Sequence, residues 1–221
     1  MKKILLIAWM STLPFALFAE EPVWDEITGK TWVQGENSQI TNSRKDREEI
    51  ENLIRSVLKW ADSNNAIDIL PMAMDNDDIY IGFDLGRLRS NLDKLKATGL
   101  FSREFIGNYE RIILTLDKKL RGGEFEKWPV GELPHFRFAN GVNPWCECQD
   151  VPYDEPDPWN HIEVEVVELG NEAGEFVWRW GGLGPEMDSG WKEFSYSFRT
   201  VKENGKWKVA YLQGFDFEEA I

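Results

Sequence analysis

Residues 194–211, FSYSFRTVKENGKWKVAY, decide the fold because they contain two strand patterns and the turn between them. Apolar residues alternate with polar ones on both sides of Asn204-Gly205, which is typical of antiparallel strands. Both central residues of a type I′ turn need a positive φ, and an Asn-Gly pair adopts that conformation readily. The alternating residues are Phe194, Tyr196, Phe198 and Thr200 before the turn, and Trp207, Val209 and Tyr211 after it. The sequence therefore predicts a β-hairpin here.

Two more strand patterns precede this hairpin. Between residues 162 and 166, aliphatic residues on one face alternate with Glu163 and Glu165 on the other. A turn at residues 170–174 leads to a second alternation that ends at Trp180, and the glycine-rich loop 181–190 follows it. The inward residues are Ile162, Val164, Val166, Phe176, Trp178 and Trp180. We expect four strands joined as an antiparallel meander.

The residues before the strands show helical periodicity in three places. The first pattern starts at Asn42 or Ser43, the second follows Asp84 and ends at Gly99, and the third follows Ser102 and stops at Gly122. Their apolar stripes are Ile50, Leu53, Ile54, Val57, Leu58 and Ala61; Leu85, Leu88, Leu92 and Leu95; and Phe105, Ile106, Tyr109, Ile112, Ile113, Leu116 and Leu120. The sequence predicts three helices, with Gly107 in the third marking a close helix contact.

Two stretches lack a clear period. Pro71 and Gly82 interrupt residues 64–83, for which we predict irregular structure. Residues 124–160 contain six prolines and the tryptophans Trp128, Trp145 and Trp159. A loop this long in a compact domain is unusual, and its tryptophans favour an ordered cover over the core.

This order of patterns predicts an α+β protein, with three N-terminal helices packed on one face of a bent antiparallel β-sheet. We expect three parts: a signal peptide at 1–19, an extended N-terminal arm at 20–42 and a single domain at 43–221. Lys2 and Lys3, a short apolar run and Ala19 before Glu20 are typical of a cleaved secretory signal. The protein is therefore expected to be periplasmic or secreted, and the run is too short for a membrane span.

The chain is acidic, with 25 Lys and Arg against 39 Asp and Glu, and a net charge of −14. Loss of the two lysines of residues 1–19 would make the charge (25 − 2) − 39 = −16. Negative charge of this size repels phosphate backbones and anionic lipids. Nucleic acid and membrane surfaces are therefore not expected as partners.

Cys146 and Cys148 are the only cysteines. In an oxidising compartment they could form a disulfide across a very short loop, or remain reduced. A metal site would need Asp150 or a histidine, but the spacing of the cysteines is poor for zinc. Asp75, Asp77 and Asp78 are expected to be solvated acids, because an EF-hand loop would need glycine where Tyr80 stands. We predict no metal and no cofactor.

No nucleophile or phosphate-binding motif is present, so no catalytic residue is predicted. The remaining catalytic arrangement is a pair formed by Asp150 and His161, which would have to converge in a pocket. The aromatic residues of the strands allow two interpretations: packing in the core, or lining a ligand pocket. The candidate pocket wall consists of Trp178, Trp180, Tyr196 and Tyr211.

Three segments carry a resemblance to a known class of proteins: GLFSREF at 99–105, NPWCECQD at 143–150 and ENGKWKV at 203–209. Over residues 44–215 the chain resembles uncharacterised bacterial envelope proteins of the nuclear transport factor 2-like, or cystatin-like, superfamily. The resemblance implies a cone of helices wrapped by a bent sheet, a pocket at its open end and a homodimer formed through the sheet. It implies no activity, because the superfamily includes both enzymes and binding modules.

Three functions follow as hypotheses. The leading one is a non-catalytic exported protein that binds a small apolar molecule in the cone or a protein partner. The second is an enzyme of the dehydratase or isomerase type that uses an Asp/His pair in the cone. The third is an acidic inhibitor or immunity-type protein that masks a basic enzyme, since complementary charge speeds encounter.

Overall fold

The computed structural model describes residues 43–221 in full, and before them only the backbone of residues 23–24, 31–32 and 34–42. The predicted signal peptide at 1–19 lies outside the described residues, as does most of the arm at 20–42. In that segment β1 (Val23–Trp24) and β2 (Thr31–Trp32) form an antiparallel pair. The first helix, α1 (Gln34–Ala61), begins before the predicted cap at Asn42 or Ser43.

The second and third helices have the bounds that their capping residues predict. In α2 (Leu85–Thr98) the Asp84 carboxylate accepts backbone N–H bonds from the first turn, and Gly99 closes the helix with φ 70°. In α3 (Arg103–Arg121) the Ser102 hydroxyl accepts the N–H of Phe105. These caps satisfy backbone groups that a helix end leaves unpaired.

The prediction of irregular structure for residues 64–83 is wrong for 72–74 and 80–83. Strands β3 (Met72–Met74) and β4 (Tyr80–Phe83) pair antiparallel within this stretch. Contacts from distant parts of the chain hold the second strand: the N–H of Tyr80 donates to the Trp128 carbonyl at 3.0 Å, and that of Phe83 donates to Asp117 Oδ1 at 2.7 Å. A local pattern does not reveal such partners.

The main sheet is the predicted meander. Its strands β5 (Ile162–Leu169), β6 (Ala173–Trp180), β7 (Tyr196–Glu203) and β8 (Lys206–Leu212) are antiparallel and adjacent in chain order. Asn204 and Gly205 have φ angles of 55° and 73°, as the type I′ turn requires. Two short helices complete the fold: α4 (Ser189–Glu193), which the glycine-rich pattern does not predict, and α5 (Phe217–Ala220).

One hydrophobic core joins the helices to the inner face of this sheet. The cover predicted for 124–160 is confirmed, since Trp128, Trp145 and Trp159 are all buried. The opposite, outer face of the sheet carries Glu175 and Arg199, which alternate with buried residues. The α+β class is therefore confirmed. Among the described residues, no helix has the length and apolar character needed to cross a membrane.

Candidate functional site

Three of the four predicted pocket-wall residues lie in the core. Trp178 and Tyr196 are fully buried, and Trp180 is 5% exposed. The Trp178 ring packs on those of Phe194 and Tyr196, with centroid distances of 5.0 and 5.6 Å. The Tyr196 hydroxyl donates to the carbonyl of Pro144 at 2.8 Å. Trp178, Trp180 and Tyr196 are therefore core residues. Core packing is one of the two interpretations that the sequence allows for the aromatic residues of the strands.

Tyr211, the fourth, lies instead beside a groove on the outside of the molecule. This groove, which we call the α3 groove, has a volume of about 490 Å³. That volume falls in the range of small-molecule sites. Its walls are the N-terminal half of α3, the outer face of β7 and β8, and the start of α5. The lining residues are Glu104, Gly107, Asn108, Arg111, Arg199, Ala210, Tyr211, Asp216, Phe217 and Glu218.

A β-bulge at Ala210 places Tyr211 in this groove. Thr200 pairs with Val209, but the next residue of β7, Arg199, pairs with Tyr211, so Ala210 is the extra residue of β8. Such an insertion shifts the alternation of side chains by one position. Val209 is buried on the inner face, and without the bulge Tyr211 would follow it there.

An ion pair forms one end of the groove. Arg199 Nη1 lies 3.3 Å from Glu104 Oε2, and Arg199 Nη2 bonds to the other carboxylate oxygen. The hydrogen bond to Glu104 raises the pKa of Arg199 above its ordinary value. The charges of both groups are therefore compensated within the protein.

Tyr211 and Asp216 form a second polar pair. The Tyr211 hydroxyl donates to Asp216 Oδ2 at 3.2 Å, and Asp216 Oδ1 accepts the N–H groups of Glu218 and Glu219 at 2.9 and 3.2 Å. Burial and the Asp216 carboxylate raise the pKa of Tyr211 to about 12. The tyrosine is therefore a neutral donor at physiological pH.

Arg111 and Gly107 lie between these pairs on α3. The Arg111 guanidinium carbon lies 3.5 Å from the centre of the Phe217 ring. Within residues 43–221 no carboxylate oxygen lies within 4.0 Å of its nitrogens. A Cβ added at Gly107 would meet nothing within 4 Å. The prediction that Gly107 marks a close helix contact is therefore wrong, because this glycine faces the open groove.

The histidines lie elsewhere. His161 Nε2 is 3.1 Å from Glu155 Oε2, and its ring stacks on Tyr153 at a centroid distance of 3.9 Å. Asp150 Oδ1 accepts the N–H of Val151. The carboxylate hydrogen-bonded to His161 is that of Glu155, so the Asp150–His161 pair is not formed. His135 stacks on Trp128 at 4.8 Å. Neither histidine lines the α3 groove.

The remaining candidates have structural surroundings. A disulfide joins Cys146 to Cys148, and Glu147 between them accepts the side-chain amide of Gln213 at 2.6 Å. Asp75 Oδ1 accepts the N–H groups of Asp77 and Ile79, both at 3.0 Å. In the part of the chain that the structure describes, no three His, Cys, Asp or Glu side chains are grouped to hold a metal ion.

Comparisons with protein-family models, with curated proteins and with solved structures find no match for this chain. Its function must therefore be inferred from the α3 groove itself.

Proposed function

We propose that the protein is an exported, non-catalytic binding protein, and that the α3 groove holds a small-molecule ligand. The observation that carries the proposal is a groove of ligand size in which charged, amide and aromatic side chains converge. Its lining contains no serine, cysteine, histidine or lysine. Glu104 is bound to Arg199 and Asp216 to Tyr211. Two of the three carboxylates in the lining therefore have partners within the protein, and the third, Glu218, is exposed.

We also propose membership of the nuclear transport factor 2-like superfamily, whose architecture is a cone of helices wrapped by a bent sheet. This proposal rests on the resemblance of residues 99–105, 143–150 and 203–209. The four-stranded meander and the three helices that share its core are compatible with that architecture. The helical pattern at 43–61 and the Asn204-Gly205 hairpin support it in the same way. Export is supported by the charged, apolar and small-residue sections of 1–19. We expect the exported protein to begin near Glu20, and an intact mass that retains residues 1–19 would contradict cleavage of the signal.

An enzyme of the dehydratase or isomerase type has weaker support. Its Asp/His pair would need to converge in a pocket, whereas Asp150 bonds to its own neighbour and His161 to Glu155. If the enzyme hypothesis were right, replacing His161 by alanine would abolish activity. Binding in the α3 groove would not require that residue.

The test is a screen of small molecules by amide chemical-shift perturbation on the exported protein. We expect ligands to shift the amides of Gly107, Arg111 and Tyr211. Gly107→Phe should abolish these shifts because the new ring would fill the groove. Lys94→Phe adds the same ring to an exposed position of α2 outside the groove, and should leave binding intact. Shifts confined to other surfaces, or equal binding by both variants, would contradict the proposal.

A further inference from the structure

The charges of the α3 groove narrow the class of its ligand. We infer that the groove binds a small organic carboxylate, and that Arg111 is the group that holds it. This inference rests on the proposed function, since it takes the groove to be the ligand site.

The groove lining carries three carboxylates, Glu104, Asp216 and Glu218, of which only Glu104 forms an ion pair within 4.0 Å among the described residues. Glu104 is neutralised by Arg199, and Asp216 accepts one hydroxyl and two backbone N–H bonds. Glu218 is exposed at the rim, and it makes no ion pair with Arg111 within 4.0 Å among the described residues. Of the two guanidinium groups in the groove, that of Arg111 is therefore the one available to an incoming anion.

The position of Arg111 suits a carboxylate. The guanidinium carbon of Arg111 lies over the ring of Phe217, 3.5 Å from its centre. Stacking of this kind restricts the side chain and leaves the N–H groups at its edge free to donate. A planar guanidinium donates two parallel hydrogen bonds to a carboxylate. Because Arg111 is partly held in place before binding, less conformational entropy is lost when the ligand arrives.

The groove also has room for the organic part of such a ligand. A second depression of about 390 Å³ continues along α3 from the shared residues Gly107 and Arg111. Its other lining residues are Glu110, Leu114, Thr115 and Lys118, and the Leu114 side chain is 44% exposed. An apolar body could therefore lie against Leu114 while its carboxylate meets Arg111.

Gly107 provides an independent reason to expect an occupant. Glycine inside a helix costs about 1 kcal/mol relative to alanine. No neighbouring atom requires a glycine here, because an added Cβ would meet nothing within 4 Å. The residue is explained if the space beside Arg111 is needed by a ligand.

The probes for the test are 1-naphthoate and its neutral analogue 1-naphthamide, titrated into the exported protein and followed by chemical-shift perturbation and calorimetry. We expect naphthoate to bind in the groove at least about tenfold more tightly than naphthamide, as one charge-assisted hydrogen bond typically allows. Arg111→Gln should abolish that preference. Arg89→Gln removes the same charge from the exposed surface of α2, outside the groove, and should preserve the preference.

The outcomes separate this inference from the proposed function. If naphthoate does not bind, or if Arg111→Gln binds it as well as the wild type, the carboxylate assignment is overturned. Should neutral or cationic compounds from the screen still shift the groove amides, the groove remains the ligand site. If no compound shifts them, both proposals fail. Circular dichroism of the two arginine variants, both altered at exposed positions, verifies that they are folded.

Discussion

Among the single residues, Gly107 shows how the absence of a side chain leaves open space on a helix surface. It lies within α3 beside Arg111, where the sequence suggests a helix contact and the structure has open space. Conformational freedom is not the reason for this glycine, because it lies in the interior of a regular helix. Its effects on helix stability and on the groove can therefore be separated by mutation.

We expect Gly107→Ala to raise the free energy of unfolding by about 1 kcal/mol, because alanine is the better helix former and meets no neighbour. Gly205→Ala is the matched control. Gly205 also has free space around it, but its φ is 73°, and alanine there should lower the free energy of unfolding by about 1 kcal/mol or more. Urea unfolding followed by circular dichroism measures both. A destabilised Gly107→Ala variant would reveal a contact at this position.

Tyr211 shows why the site itself was only partly predictable. The alternation of Tyr211 with Trp207 and Val209 correctly indicates a strand. The same pattern is the reason why Tyr211 is predicted to line a pocket. The pattern places it on the inner face, whereas the bulge at Ala210 turns it outward to Arg199. A bulge depends on pairing with the neighbouring strand, so the spacing of apolar residues in one strand does not reveal it.

At the element scale, the predictable features are those with local causes. Asp84, Gly99 and Ser102 cap their own helices, so the bounds of α2 and α3 follow from nearby residues. The pairing of β3 with β4 depends on Asp117 and Trp128, which are far away in the chain. Arg111 likewise meets Phe217 only through the fold. Sequence periodicity therefore predicted the long helices and the four-stranded meander, but not β3, β4 or the groove.

The face of α3 that is buried in the core can be tested by mutation. Leu116 is fully buried, whereas Lys118, two residues on, is exposed. Leu116→Ala should lower the free energy of unfolding by about 2–5 kcal/mol, since it leaves a cavity in the core. Lys118→Ala should change it by less than about 0.5 kcal/mol. Equal effects of the two substitutions in urea melts would show that the helix buries a different face.

At the scale of the whole molecule, the aromatic residues fill the interior rather than surround a cavity. The rings of Trp178, Trp180 and Tyr196 pack on their neighbours inside the cover formed by 124–160. The candidate site consequently lies against the outer face of the sheet, and most of its lining residues are polar or charged. The cone was expected from the resemblance, and the pocket wall from the aromatic residues of the strands. A strand pattern does not distinguish a packed aromatic core from a pocket wall.

The burial of tyrosine side chains also predicts how the free energy of unfolding changes at alkaline pH. Burial raises the pKa of Tyr109 and that of Tyr196 above their ordinary values, and burial together with Asp216 raises that of Tyr211 to about 12. An unfolded tyrosine ionises near pH 10. The stabilisation from these groups is therefore fully present below about pH 10 and is lost as the pH rises towards the folded-state values, because the unfolded chain releases its protons first.

We expect the urea midpoint to fall steadily between about pH 10 and pH 12. Tyr211→Phe should make this fall shallower, because it removes one of the groups whose pKa differs between the folded and unfolded states. Lysines also titrate in this range, but they are common to both proteins, so the difference between the two curves reports on Tyr211 alone. Parallel curves for the wild type and Tyr211→Phe would mean that the hydroxyl ionises as easily in the folded protein as in the unfolded chain. Neither burial nor the Asp216 carboxylate would then raise the pKa of Tyr211 in solution.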